Sequence, residues 1–254
     1  MDFTISWVIN STPLYKIIAL RWFRKMVEER RNTLLRPSSW DDPYEMNYSN
    51  SVIATEQGDI PLDASHWFGQ CWSLCEESIT MWQSFKKSEE PFVKIKVDAH
   101  NLIMGLKERD DELRIGVLDY VRYFKPQVSD YREKINDIVQ AHRWPDNFIN
   151  RGITLAELYP VYGLLTKRDI FEHEKEVRLL LLDMSTPTTQ KSVSYSFDTA
   201  TINEIVIDPW TSKDDTIIKE IECELRLSFP KESTVIRKSG VFSDSSQYFT
   251  RYVI

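Results

Sequence analysis

The spacing of apolar and polar positions predicts strands and helices that follow one another irregularly along the chain. Residues 92–98 alternate strictly, with Val93, Ile95 and Val97 on one face and two lysines on the other. Residues 20–31 instead place their apolar side chains at helical spacing. By the same criteria we predict further strands over residues 14–19, 33–36, 66–74, 113–123, 174–183, 193–197, 204–208 and 234–237, and further helices over 76–87, 99–108, 129–142, part of 154–166 and 213–227.

This order of elements predicts an α+β fold. It lacks the regular strand–helix alternation of a doubly wound parallel sheet. No internal repeat, low-complexity tract or linker is visible, so we expect one domain over residues 1–254, with its core at about 13–240.

Composition narrows the class of protein. A formal charge of −7 over 254 residues argues against a general nucleic-acid wrapper, although a local basic patch remains compatible with it. Three cysteines fit a reducing compartment. The chain has no apolar run long enough to span a bilayer and no basic secretory start. We therefore expect a soluble cytoplasmic protein without a membrane partner.

Seven glycines stand too far apart to form a G-x-G fingerprint or a phosphate loop. A nucleotide ligand would have to be bound without a glycine-rich cradle.

The densest charge cluster enters the most hydrophobic predicted strand. With a period of two, Glu174, Glu176 and Arg178 share one strand face. Two carboxylates and a guanidinium in that arrangement suit binding of ribose hydroxyls, and one carboxylate could serve as a base. The alternative is a charged strand start held by a cross-strand pair, and the sequence favours neither.

Other candidates have a simpler structural explanation. Ser73 precedes Glu76 by three residues, which favours a helix cap over a site residue at a strand end. Asp41, Asp42 and Glu45 offer metal ligands, but an Asp-Asp-Pro turn is the favoured interpretation and we expect no metal.

Aromatic and basic residues of the other strands are also candidates. Trp72 is a core residue more often than a stacking platform at such a position. Tyr15 and Lys16 are neighbours on the first of these strands, so only one of them can face a cleft.

Several blocks of sequence together form a motif pattern. They are Leu14-Tyr15-Lys16-Ile17, Asp41 to Glu45, Cys71-Trp72-Ser73, Glu77 to Phe85, then Lys167, Phe171, Glu174, Glu176 and Arg178, and finally Ile202 to Pro209. These blocks resemble a bacterial family known as domain of unknown function 2971, and the resemblance covers most of the chain, from about residue 13 to 240. Ile17 and Ser73 depart from it, because the family usually has an aromatic residue and often a His there.

A weaker resemblance, in the order of these blocks, is to the ADP-ribosyltransferases. It implies an α+β fold with mainly antiparallel sheets and flanking helices, and NAD as a substrate that needs no glycine-rich loop. It also implies an unknown protein or nucleic-acid acceptor, a role as a bacterial toxin or antiviral effector, and a neutralising or regulatory partner protein.

The same resemblance implies roles for particular residues. Glu176 would hold the ribose and stabilise positive charge, and Glu174 would accept a proton from the incoming nucleophile. The cofactor-binding residues it implies are Tyr15, Lys16, Ser73, Trp72 and Arg178.

Two other functions stay open at this stage. One is a non-catalytic binding or regulatory module in which the charged residues form a fixed network. The other is a metal-dependent nuclease that uses Asp41, Asp42 and Glu45 with Glu174 or Glu176.

Overall fold

In a computed structural model, mainly antiparallel strands occur together with helices, which confirms the predicted α+β class. The described residues are 3–40, 51–56, 58–85, 90–107, 114–141, 153–211, 215–229 and 234–241. No helix in this described part is both long enough and apolar enough to cross a membrane.

The bounds of the regular elements are as follows. The strands are β1 (Phe3–Ser6), β2 (Pro13–Ala19), β3 (Arg31–Leu35), β4 (Val52–Thr55), β5 (Gly58–Pro61), β6 (Trp67–Ser73), β7 (Phe92–Asp98), β8 (Arg114–Tyr120), β9 (Arg122–Phe124), β10 (Thr166–Arg168), β11 (Glu176–Asp183), β12 (Ser192–Ser196), β13 (Glu204–Ile207) and β14 (Val235–Lys238). The helices are α1 (Leu20–Glu29), α2 (Ile79–Phe85), α3 (Ala99–Met104), α4 (Val128–Ala141), α5 (Leu155–Leu158), α6 (Pro160–Leu164) and α7 (Asp215–Ser228).

The chain divides into two compact units. The first contains residues Met1–Leu14, Arg30–Leu74 and Asp98–Asp198, and the second contains Tyr15–Glu29, Cys75–Val97 and Thr199–Ile254. This division does not test the single domain, which stays a prediction.

In the first unit, β11 lies between β8 and β6 and pairs antiparallel with both. All eight of its side chains are buried, which explains its unbroken apolar run after the first three residues. β1 extends the sheet beyond β8, and β3 and then β12 extend it beyond β6. A large hydrophobic core packs around Trp67, Val117 and Leu180.

In the second unit, the strand order is β2, β7, β13, β14. Val93, Ile95 and Val97 are fully buried, as the alternation predicts. Lys94, on the other face of β7, is also buried, which the alternation does not predict. α1 and α7 bury most of their apolar residues, but Trp22 and Ile217 are exposed. Phe23 stacks on Phe229 with ring centroids 5.9 Å apart.

Some predicted strand boundaries were wrong. The strand predicted over 113–123 is two strands, β8 and β9. By contrast, the helical region predicted within 154–166, with an interruption at Pro160, is α5 and α6, and Pro160 is the first residue of α6. The strand predicted from residue 174 begins only at Glu176.

Candidate active site

The candidate site lies in the first unit, where β11 begins. The register places Glu176 opposite Ser73 and Arg178 opposite Cys71 on neighbouring β6. Directly paired residues share a sheet face, so these four side chains lie on one face. The structure thus brings together three residues that the sequence analysis selected.

Glu174 reaches the same place from outside the strand. It ends a 3-10 helical segment over residues 169–174, and Lys175 follows with a φ of 44°, a left-handed conformation. The prediction that Glu174 belongs to the strand was therefore wrong. The carboxylates of Glu174 and Glu176 nevertheless share an ion-pair partner, Lys167.

Ser73 is the last residue of β6 and not a helix cap. α2 begins only at Ile79, so the predicted capping box with Glu76 was wrong. The Ser73 hydroxyl is buried and donates a hydrogen bond to the backbone carbonyl of Glu174 over 2.6 Å. Ser73 therefore fixes the segment that carries Glu174.

Lys167, on β10, bridges the two acids. Its Nζ lies 2.6 Å from Oε2 of Glu174 and 2.9 Å from Oε2 of Glu176. The same ammonium lies 4.8 Å from the ring centroid of Phe171. Lys167 and Phe171 both belong to a block of the family resemblance, which implies no role for either of them.

Arg178 is fully buried, with an exposed fraction of 0%. Its Nε donates to Oε1 of Glu176 over 2.7 Å, and its Nη1 donates to the carbonyl of Leu164 over 2.6 Å. The guanidinium carbon lies 4.6 Å from the ring centroid of Trp40. Arg178 is thus a structural partner of Glu176 and has no contact with solvent.

The two carboxylates differ in environment. Glu176 is 3% exposed, and burial alone would raise its pKa. Arg178 and Lys167 outweigh burial and, together with a hydrogen bond from the Cys71 thiol, lower the pKa of Glu176 to about 2. The Glu174 side chain is 19% exposed. The site therefore contains a buried, ionised carboxylate, that of Glu176, beside a carboxylate that is partly exposed to solvent, that of Glu174.

Tyr123, on β9, also contacts Glu176. Its hydroxyl accepts a hydrogen bond from the backbone N–H of Glu176 over 2.7 Å. Burial is the main cause that raises the pKa of Tyr123, so its hydroxyl stays neutral. Tyr123 is not among the candidate residues that the sequence indicates.

Trp72 lies on the other face of the sheet. It stands between Cys71 and Ser73 on β6, so its side chain points away from theirs. It is 2% exposed, and its Nε1 donates to Oε1 of Gln70 over 2.9 Å. The structure does not bring Trp72 to the face of Glu176, and its core interpretation fits this position.

Tyr15 and Lys16 belong to the second unit. Tyr15 is buried, and the Nζ atoms of Lys94 and Lys96 lie 5.3 and 5.9 Å from its ring centroid. Burial, with the charges of Glu76 and Glu204, raises the pKa of Tyr15. Lys16 is half-buried. Their predicted contact with a cofactor stays a prediction.

The metal alternative falls on Asp41, Asp42 and Glu45, which lie outside the described residues. In the part of the chain that the structure does describe, no group of three or more His, Cys, Asp or Glu side chains could hold a metal ion.

Comparison with known proteins gives a distant structural similarity. Three solved structures of DarT from Thermus sp. 2.9 match. The complex with carba-NAD+ has 12% sequence identity and a TM-score of 0.38, and the match covers 91% of this chain and 97% of that one. The complex with NAD+ has 11% identity and a TM-score of 0.39, with 91% of this chain and 96% of that one covered, and the complex with ADP-ribosylated ssDNA has 12% identity and a TM-score of 0.38, with 94% and 98% covered. A superposition this loose transfers neither a residue nor an activity to this chain.

No family model and no curated protein matches the chain. The similarity to domain of unknown function 2971 therefore stays a resemblance of motifs.

Proposed function

We propose that this chain is an ADP-ribosyltransferase-like enzyme that uses NAD as substrate and modifies a protein or nucleic-acid acceptor. One observation carries the proposal: Glu174 and Glu176 share the Lys167 ammonium, at 2.6 and 2.9 Å, where β11 begins. The motif resemblance selected both acids, and the fold holds them together.

The reaction breaks the bond between C1′ of the ribose and the nicotinamide nitrogen. The bonding pair leaves with nicotinamide, which departs neutral, and positive charge develops on the ribose. An anion beside that charge stabilises the transition state. Glu176, with a pKa of about 2, is an anion throughout the physiological range.

The second half of the reaction joins the acceptor to C1′. A nucleophilic oxygen or nitrogen of the acceptor forms the new bond and gives up its proton. In this proposal Glu174 accepts that proton, because its carboxylate is the one that solvent reaches. Ser73 supports it by fixing its backbone carbonyl.

The other residues that the sequence analysis selected have a less direct place in this scheme or none. Arg178 orders Glu176 from within the core. Tyr15 and Lys16 are proposed to contact NAD on the resemblance alone, and Trp72 has no part in the scheme because of its position on the other sheet face.

An assay with radiolabelled NAD tests the proposal. Purified protein is incubated with cell extract in one arm and with single-stranded DNA in another, and label on either acceptor is counted. We expect transfer by the wild type and a loss on the order of 10²-fold or more in Glu174→Gln. No transfer in either arm, or equal transfer by wild type and Glu174→Gln, would contradict it.

A toxin or antiviral role in the bacterial cytoplasm, with a neutralising partner, is the biological setting that the resemblance implies. Induced expression of the wild type in a bacterium should then arrest growth, and the Glu174→Gln variant at equal protein level should not. Equal growth of the two strains would remove the toxin role without affecting the enzymatic proposal.

A non-catalytic module remains the second candidate because of the burial of Arg178. A buried arginine bonded to a buried glutamate and to a backbone carbonyl is a structural arrangement in its own right. If the network is only structural, substitutions there change stability and the labelled-NAD assay shows no transfer.

A further inference from the structure

We infer that Lys167 is a positioning residue that holds Glu174 and Glu176 in the arrangement needed for catalysis, an inference that rests on the proposed function. Its Nζ bonds one oxygen of each carboxylate. The two Oε2 atoms therefore cannot be further apart than the sum of those two bond lengths. Two like charges at such a distance repel each other unless a cation lies between them.

Lys167 and Arg178 do not bond the same set of acids. Arg178 bonds Glu176 through its Nε. Among the described residues, Lys167 is the only cation bonded to Glu174. Removal of Lys167 therefore leaves Glu176 held by Arg178 but releases the carboxylate to which the proposal gives proton transfer.

The fold keeps this ammonium in place. Lys167 is the middle residue of β10, which pairs in parallel with β9, and its register partner there is Tyr123. Tyr123 bonds the backbone of Glu176, so one two-stranded sheet contacts Glu176 twice. The Phe171 ring packs against the ammonium, and the Lys167 side chain is largely buried. A lysine side chain held by these contacts is suited to positioning the two carboxylates and not to moving in and out of the site.

The test compares three variants by kinetics with NAD. Lys167→Met removes the charge and keeps most of the side-chain length, Lys167→Arg keeps the charge, and Lys134→Met is the matched control. Lys134 also lies near two acids, Glu133 and Asp137, at 3.9 Å each, but on helix α4.

We expect Lys167→Met to lower kcat on the order of 10²-fold, while KM for NAD stays within about threefold of the wild-type value. Lys167→Arg should recover most of kcat, and Lys134→Met should match the wild type. A purely structural role would lower the fraction of folded protein and would not separate kcat from KM. Unchanged kcat in Lys167→Met would overturn the inference.

A second measurement does not depend on activity. The carboxyl ¹³C signal of Glu176, identified by its loss in Glu176→Gln, is titrated in the wild type and in Lys167→Met. We expect its midpoint to rise by about one to three pH units without Lys167. An unchanged midpoint would overturn the inference whatever the activity, whereas a wild type without transfer would overturn the proposed function.

Discussion

At the residue scale, two glutamates two positions apart have opposite environments. Glu176 is enclosed by Arg178, Lys167 and the Cys71 thiol, and Glu174 keeps part of its surface in water. Enzymes give two identical acidic side chains different roles by placing them in different surroundings, as in this pair. The division predicts different costs when each carboxylate is neutralised.

Glu176→Gln should destabilise the protein by about 3–5 kcal/mol, because it leaves buried Arg178 without its charged partner. Glu174→Gln should cost less, about 1–3 kcal/mol, since Lys167 keeps its ion pair with Glu176 and the Glu174 side chain is partly in contact with solvent. Urea denaturation at pH 7 measures both free energies of unfolding. Equal costs for the two variants would contradict the different environments of the two carboxylates.

The second unit contains a buried cation of another kind. Lys94 is 3% exposed, and its Nζ has no hydrogen-bond partner among the described residues. Burial lowers its pKa, even though Glu77 attracts the charge. The charged form is therefore less stable in the folded protein than in water.

Lys94→Met should consequently raise the free energy of unfolding at pH 7, by about 1–3 kcal/mol. Lys96→Met is the control, because Lys96 lies near the same Tyr15 ring but keeps part of its surface in solvent. Chemical denaturation of both variants provides the comparison. A destabilised Lys94→Met would mean that the attraction to Glu77 exceeds the cost of burial.

At the element scale, the sequence predicted elements whose pattern is long enough to show a period. β7, α1 and α7 are examples, and β11 was found by its apolar run. β1, β4, β5 and β10 were not predicted, although the equally short β13 and β14 were. β1 and β10 pair with the distant strands β8 and β9, whereas β4 and β5 pair with each other.

The same limit applies to the candidate site. Glu174, Glu176, Arg178 and Ser73 could be selected because motif blocks and strand alternation mark them. The roles of Lys167 and Tyr123 depend on the pairing of β9 with β10, which nothing in their local sequence indicates. The left-handed turn at Lys175 also has no local signal, since it does not use glycine.

Gly69, on β6, allows Trp40 to pack over Arg178. A Cβ at residue 69 would lie 2.7 Å from the Trp40 ring and 2.8 Å from Leu180. Gly69→Ala should cost about 1–3 kcal/mol and displace Trp40 from the guanidinium. Gly240→Ala is the control, because in the described part of the chain the nearest atom to its Cβ would be a Glu77 carboxylate oxygen at 3.8 Å. The midpoint of thermal unfolding is measured for both variants, and equal midpoints would contradict the close packing of Trp40 and Leu180 against Gly69.

At the scale of the whole molecule, acidic side chains in both units depend on partners that hold them ionised. Partner groups lower the pKa of Asp183 and Glu176 in the first unit and of Glu77 in the second. A carboxylate with a lowered pKa in the folded state stabilises the protein above its unfolded pKa. That contribution is lost as the pH falls through the folded value.

The midpoint of thermal unfolding should therefore fall steadily from about pH 5 to pH 2. For Glu176, the difference between its ordinary pKa of 4.5 and about 2 corresponds to about 3 kcal/mol. Glu176→Gln should start from a lower midpoint but lose less of it on acidification. Parallel curves for the two proteins would show that Glu176 is not held ionised by its partners.

The account as a whole depends on the acid pair at the start of β11 acting on NAD. The rate at which label passes from NAD to an acceptor, measured for the wild type and for Glu174→Gln at equal concentrations of folded protein, tests this most directly. We expect measurable transfer by the wild type and a rate lower by about 10²–10⁴-fold in the variant. Equal rates, or no transfer by the wild type, would contradict it.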